Sequence, residues 1–223
     1  MFYKVIQSTN RKEIGYYPQV SRFSNENLIG IERLNEAIDR FPNLELPTIF
    51  LHKKAKLTDV ISCATLNDVL GFIASERLIG LLSRFKLLPT KKMKVNIDGV
   101  VDNYYWIHMI PEKNQHNWID YSLSTFLISN SNHQLRIKSH DHYQRAKKSI
   151  ESYQYIKAKR IAVFKDDIKD YDLVRFYSGH YKLFVSKKLK EALEEKNITG
   201  WNFSLIDSVD FIDRREKKKF LFF

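Results

Sequence analysis

Three groups of residues have the types and spacing to do chemistry. His140-Asp141-His142, with His133 nearby in sequence, supplies metal-ligand side chains. Two imidazoles at i and i+2 share a face only on an extended chain. The pattern here predicts a helix start, which splays the rings apart, so these read as surface histidines. Asp166, Asp167, Asp170 and Asp172 crowd one acidic stretch. They could ligate Mg²⁺ or Ca²⁺, but EF-hand spacing and its terminal Glu are absent, and a solvated turn is expected. Cys63 is the single cysteine and reads as a small core residue. The chain has no G-x-S-x-G nucleophile turn and no glycine-rich phosphate loop. No catalytic residue, metal or cofactor is assigned from these residues, and an enzyme with an unrecognised site stays open at this point.

A fourth group points to binding. Tyr104, Tyr105 and Trp106 follow Lys91, Lys92 and Lys94 in what reads as a β-hairpin. Aromatic and basic side chains on a strand surface can stack bases and neutralise phosphates. Successive residues of Tyr-Tyr-Trp point to opposite faces, however, so at least one face is expected in the core. The chain carries 37 Lys and Arg against 26 Asp and Glu, a net charge of +11. That surplus favours an anionic partner. It clusters only at Lys91–Lys94, Lys147-Lys148 and Arg214–Lys219.

The elements that position these groups centre on a duplication. Leu70–Leu88 reads LGFIASERLIGLLSRFKLL, and Tyr181–Gly200 reads YKLFVSKKLKEALEEKNITG. An offset of 111 carries Ser75 onto Ser186, Leu78 onto Leu189 and Leu82 onto Leu193. Phe72-Ile73-Ala74 and Leu183-Phe184-Val185 suit strands buried on both faces. Each run stops at a Ser whose hydroxyl can cap the next helix. Leu78, Leu81, Leu82 and Phe85 form one helical stripe, repeated more weakly by Leu189, Ala192 and Leu193. Asn197 and Gly200 tolerate the positive φ that ends the second helix.

Elsewhere, Phe2–Gln7, Thr48–Leu51, Leu57–Cys63, Trp118–Ile128, Arg160–Phe164 and Trp201–Ile206 read as extended. Ser8–Pro18 reads as a loop with a turn at Tyr16-Tyr17-Pro18. Helices are expected over Glu26–Phe41, capped by Asn25 and stopped by Pro42. Another is expected after Asp141, carrying Tyr143, Ala146, Ile150 and Tyr153. Lys92–Ile97 with Tyr104–Ile110, and Leu173–Tyr177 with Tyr181–Val185, form hairpins. Arg214–Phe223 is a charged tail. The predicted architecture is α+β: mainly antiparallel short strands with three or four packed helices and a duplicated strand–Ser–helix module. A single domain over residues 1–223 is expected, with residues 208–223 as a basic C-terminal tail. One cysteine permits no internal disulfide, no apolar run has transmembrane length, and Met1-Phe2-Tyr3-Lys4 leads straight into a strand pattern. A cytoplasmic protein is expected.

The order of pieces resembles the immunity proteins of bacterial polymorphic-toxin systems, specifically a former domain of unknown function named for a Myxococcus immunity protein. The residues that carry the likeness are Leu57-Thr58-Asp59-Val60, Ile73–Leu82, Trp118-Ile119-Asp120, Arg160–Phe164, and Phe184–Gly200 followed by Trp201–Leu205. The resemblance covers roughly residues 45–207. Trp201 replaces the usual aliphatic residue, and a polar insert, Asn130–Tyr153, is longer than usual. The resemblance implies a protein that neutralises a cognate toxin by complex formation, without catalysis or cofactor. Loops and exposed aromatics would then meet the partner, with Tyr16, Tyr17, Trp106, Trp118 and Arg136 as candidate contacts. The positive charge implies an acidic toxin, steered by long-range attraction. A nucleic-acid-binding module is the alternative.

Overall fold

The structure, a computed structural model, describes residues 1–24, 39–43, 45–63, 71–131, 133–177 and 180–214. The helix expected over Glu26–Phe41 lies almost wholly outside them, as does the tail beyond Arg214. Among the described residues the fold is α+β, with fourteen short strands and five α-helices. The strands are β1 (Phe2–Gln7), β2 (Val20–Phe23), β3 (Ile49–Leu51), β4 (Val60–Ile61), β5 (Gly71–Ser75), β6 (Thr90–Val95) and β7 (Tyr104–Met109). There follow β8 (Ile119–Ile128), β9 (Gln134–Leu135), β10 (Ile156–Phe164), β11 (Leu173–Phe176), β12 (His180–Ser186), β13 (Trp201–Ser204) and β14 (Val209–Ile212). The helices are α1 (Arg11–Ile14), α2 (Glu76–Leu82), α3 (His140–Ser149), α4 (Lys165–Ile168) and α5 (Lys187–Glu195). Three four-stranded sheets have the orders β4-β5-β7-β6, β11-β12-β1-β13 and β14-β10-β8-β9, beside a β2-β3 ribbon. Only β10 and β14 pair in parallel among the named strands.

Both Ser residues do cap their helices, and each also closes onto an aspartate. Ser75 accepts from Leu78 N (3.2 Å), and its hydroxyl donates to Asp59 Oδ1 (2.8 Å). Ser186 accepts from Leu189 N (3.1 Å) and donates to Asp172 Oδ1 (2.6 Å). The main chain repeats the match, with Ser75 N on Asp59 O and Ser186 N on Asp172 O, each at 2.8 Å. The unit is therefore Asp–strand–strand–Ser–helix: β4 pairs β5, and β11 pairs β12.

The copies then exchange ends. Beyond α2, Lys86 N donates to Asp172 Oδ2 (3.1 Å) and Leu88 N to Leu173 O (3.3 Å). Beyond α5, Thr199 N donates to Asp59 Oδ2 (3.0 Å), while Val60 N donates to Thr199 O (3.0 Å). Each helix tail thus satisfies the aspartate of the other copy. Gly200 follows at φ +92°, where a Cβ would run into the Val60 carbonyl oxygen. A residue with no side chain is required at that crossing.

Packing follows the alternation of the strands. Phe72 and Ala74 face a large core shared with Leu78, Leu82, Leu189 and Leu193, while Ile73 faces a smaller one with Trp106, Met93 and Ile49. Burial on both sides explains the unbroken apolar run of β5. Truncating Leu78 or Leu189, each fully buried, would cost about 2–5 kcal/mol.

Several expected boundaries move. Ser8–Pro18 contains α1 and a cis Tyr17–Pro18 bond. The cap of α3 is Ser139, not Asp141, because Ser139 Oγ accepts from His142 N (3.2 Å). Tyr153 lies beyond that helix and is 72% exposed. The acidic stretch at 166–172 begins with α4 and ends on Asp172, which serves the second Ser. Strand β14 falls within residues 208–223, where a tail is expected.

Candidate functional site

A hollow of about 440 Å³ opens beside the start of the third helix. Its walls are the 3-10 turn Gln115–Trp118, the start of β8 and the entry to α3. His116 and His140 both line it and stack on one another, with ring centroids 4.5 Å apart. His140 Nδ1 lies 3.0 Å from Tyr121 Oη, and its Nε2 lies 3.2 Å from Gln144 Nε2. A neutral ring satisfies both: the amide donates to Nε2, and Nδ1–H donates to the phenol oxygen. Burial, then the neighbouring His116, holds His140 below its ordinary value, with Asp141 opposing.

The rim is basic and the floor structural. Asp120, in the floor, accepts at Oδ1 from Ser122 N (3.0 Å) and Ser122 Oγ (2.6 Å). Its carbonyl accepts from Ser124 Oγ, which in turn accepts from Ala162 N. These bonds sit at the register shifts between β8 and β10 and occupy the backbone groups that a bulge frees. Arg214 crosses the rim, donating to Asn117 O (3.1 Å) and pairing with Asp167, its guanidinium over the Phe164 ring. Lys138 is exposed on the connector from β9 to α3. A second hollow, about 330 Å³, shares Lys138 with the first and is lined by Arg136 and Leu123 among others.

The sequence-derived candidates fall into two groups. Tyr16 and Tyr17 are 40% and 47% exposed, and Tyr16 packs its ring 4.1 Å from that of His52. Arg136 is exposed at the second hollow. Trp106 is only 2% exposed and Trp118 only 9%. Burial takes both out of the contact set. Trp106 belongs to the smaller core, and Trp118 backs the 3-10 turn against the Tyr171 ring (5.2 Å). The same alternation buries Tyr104 and leaves Tyr105 as the half-exposed ring of the trio, covered by Lys92 Nζ at 4.7 Å. The Lys91–Trp106 hairpin thus lacks the row of exposed rings that base stacking uses.

Among the described residues, no three His, Cys, Asp or Glu side chains lie close enough together to hold a metal ion. His133, His140 and His142 do not converge on one another. The pairing of His140 with His116 was missed, because no local spacing links residues 24 positions apart in sequence. Charge is the other missed feature. Residues 136–160 hold eight Lys and Arg against Asp141 and Glu151, so six of the eleven net positive charges fall there. Arg160 pairs with Asp210. No protein-family model matches the chain, and a search of curated proteins finds no match.

Proposed function

We propose that this chain is an immunity protein, which binds a cognate bacterial toxin and neutralises it by occupying its surface. One observation carries the reading. Asp59, Val60, Ser75, Thr199 and Gly200, all within the segments that resemble the immunity family, form one connected set: Ser75 bonds Asp59, Thr199 bonds Asp59 and Val60 from the other copy, and Gly200 packs on Val60. The likeness therefore falls on a mutually dependent structural unit rather than on scattered matches. Such a unit makes a stiff scaffold, and stiffness reduces the ordering cost of binding. The exposed loops at Tyr16-Tyr17 and Arg136–Lys138 are then the places where a partner is met.

Co-expression tests this. A cell carrying the toxin gene encoded beside this one should survive when the chain is produced, and lose viability when it is not. Equal death in both would reject the reading. Nucleic-acid binding is the second reading, favoured by the basic stretch 136–160 with Tyr153 and Tyr155 exposed at 72% and 57%. It calls for affinity that falls steeply with salt.

A further inference from the structure

We propose that the hollow between the 3-10 turn, β8 and the start of α3 seats a carboxylate side chain of an acidic protein partner, with Lys138 and His116 as its contacts. This rests on the immunity reading and names where the partner is held. Four observations converge. The hollow, at about 440 Å³, has room for an acidic side chain. Lys138 stands exposed between two hollows with no ion pair among the described residues. The surrounding stretch 136–160 carries six net positive charges. Finally, the groups already committed around the hollow leave Lys138 as its uncommitted cation among the described residues. Arg214 is tied to Asp167, and Asp120 Oδ1 is filled by Ser122.

The distribution of the charge favours a protein over a nucleic acid. Lys157 stands opposite Leu127 while Ala158 stands opposite Phe126, and the Phe126 ring meets Tyr143 of α3 at 5.6 Å. Lys157 therefore projects from the sheet face opposite α3, whereas Arg145, Lys147 and Lys148 are exposed on α3 itself. Positive groups on both sides of one lobe create a field that steers an acidic body. They do not form the continuous groove that tracks a phosphate backbone. The hollow then gives the short-range contact where approach ends.

The groups facing the two histidines are Asp120 and Tyr121 from β8, Lys138 and Asp141 from the α3 entry, and Arg214 from the C-terminal segment. A carboxylate seated beside them changes the electrostatic surroundings of both rings. The histidine rings thus report occupancy.

The test follows the His116 and His140 ring resonances of the full chain by NMR. The chain is titrated separately with a poly-glutamate peptide, inorganic phosphate and a single-stranded oligonucleotide. The expected result is saturable movement of both rings with poly-glutamate, weakened at least tenfold in Lys138→Glu. Lys182→Glu, an equal charge change on β12, should weaken it less than threefold. Unmoved rings, equal losses in the two variants, phosphate reproducing the shifts at the same midpoint, or tighter binding of the oligonucleotide through the same rings would each overturn the proposal. A second arm uses the neighbouring toxin. If the wild-type chain binds it and Lys138→Glu binds equally well, the seat is wrong while the immunity reading stands. If the wild-type chain does not bind it, the immunity reading fails, and the poly-glutamate titration alone decides the seat.

Discussion

Single atoms decide several positions. Gly200 sits at φ +92° against the Val60 carbonyl, with its N–H donating to Glu13 Oε1 (2.7 Å). Gly200→Ala is expected to lose about 2–3 kcal/mol in urea denaturation, because it adds both a strained φ and a backbone clash. Gly80, where a Cβ would meet nothing, is the control: Gly80→Ala in α2 should be stabilising or neutral. The tyrosines give a pH prediction. Burial pushes Tyr104 and Tyr177 up to about 12 each, with Asp59 and Asp102 adding to the first and Arg175 opposing the second. Their hydroxyls donate to Thr58 O (2.9 Å) and Met109 O (2.7 Å). A phenol raised above its unfolded value contributes stability that is full below pH 10 and lost as pH rises toward 12. Thermal melts between pH 9 and 12 should show the loss, together with late phenolate absorbance. Tyr177→Phe should flatten part of the pH dependence.

The elements make the case for an interlocked duplication. Each aspartate is held by its own serine and by the tail of the other copy. Asp59→Asn is therefore expected to destabilise the whole fold by about 2–4 kcal/mol rather than fray one hairpin. A hydrogen-exchange map of the variant should show lost protection in β11 and β12 as well as β4 and β5. Loss confined to the first copy would contradict the interlock. Much of this level was legible: apolar runs ending in Ser, leucines at helical spacing, and Gly200 after the second helix are local patterns. The aspartates were half visible. Asp59-Val60-Ile61 and Asp172-Leu173-Val174 match in character, but their offset is 113 against 111 for the serines, so a fixed-offset comparison breaks. The reciprocal exchange of tails was not legible, since it joins residue 59 to 199 and 86 to 172. Strand alternation correctly warned that part of Tyr104-Tyr105-Trp106 is core, yet could not say which face.

Among the described residues the two copies brace one another, and six of the net positive charges fall within residues 136–160. Exposed and buried aromatics should behave differently. Trp106→Ala is expected to cost about 3–5 kcal/mol of stability, while Tyr17→Ala should leave the melting temperature within a degree or two and act, if anywhere, on binding. Comparable unfolding by both would show that Tyr17 is structural. Long-range charge sets the rate of encounter, so a complex formed with an acidic toxin should associate several-fold faster at 20 mM than at 200 mM salt, on the order expected for steered pairs. The most direct measurement mixes the purified chain with the purified toxin domain encoded beside it, and follows both complex formation and toxin activity by titration. The account predicts a saturable stoichiometric complex in which toxin activity falls in step with occupancy. Full toxin activity at saturating chain, or no complex at micromolar concentrations, would contradict it.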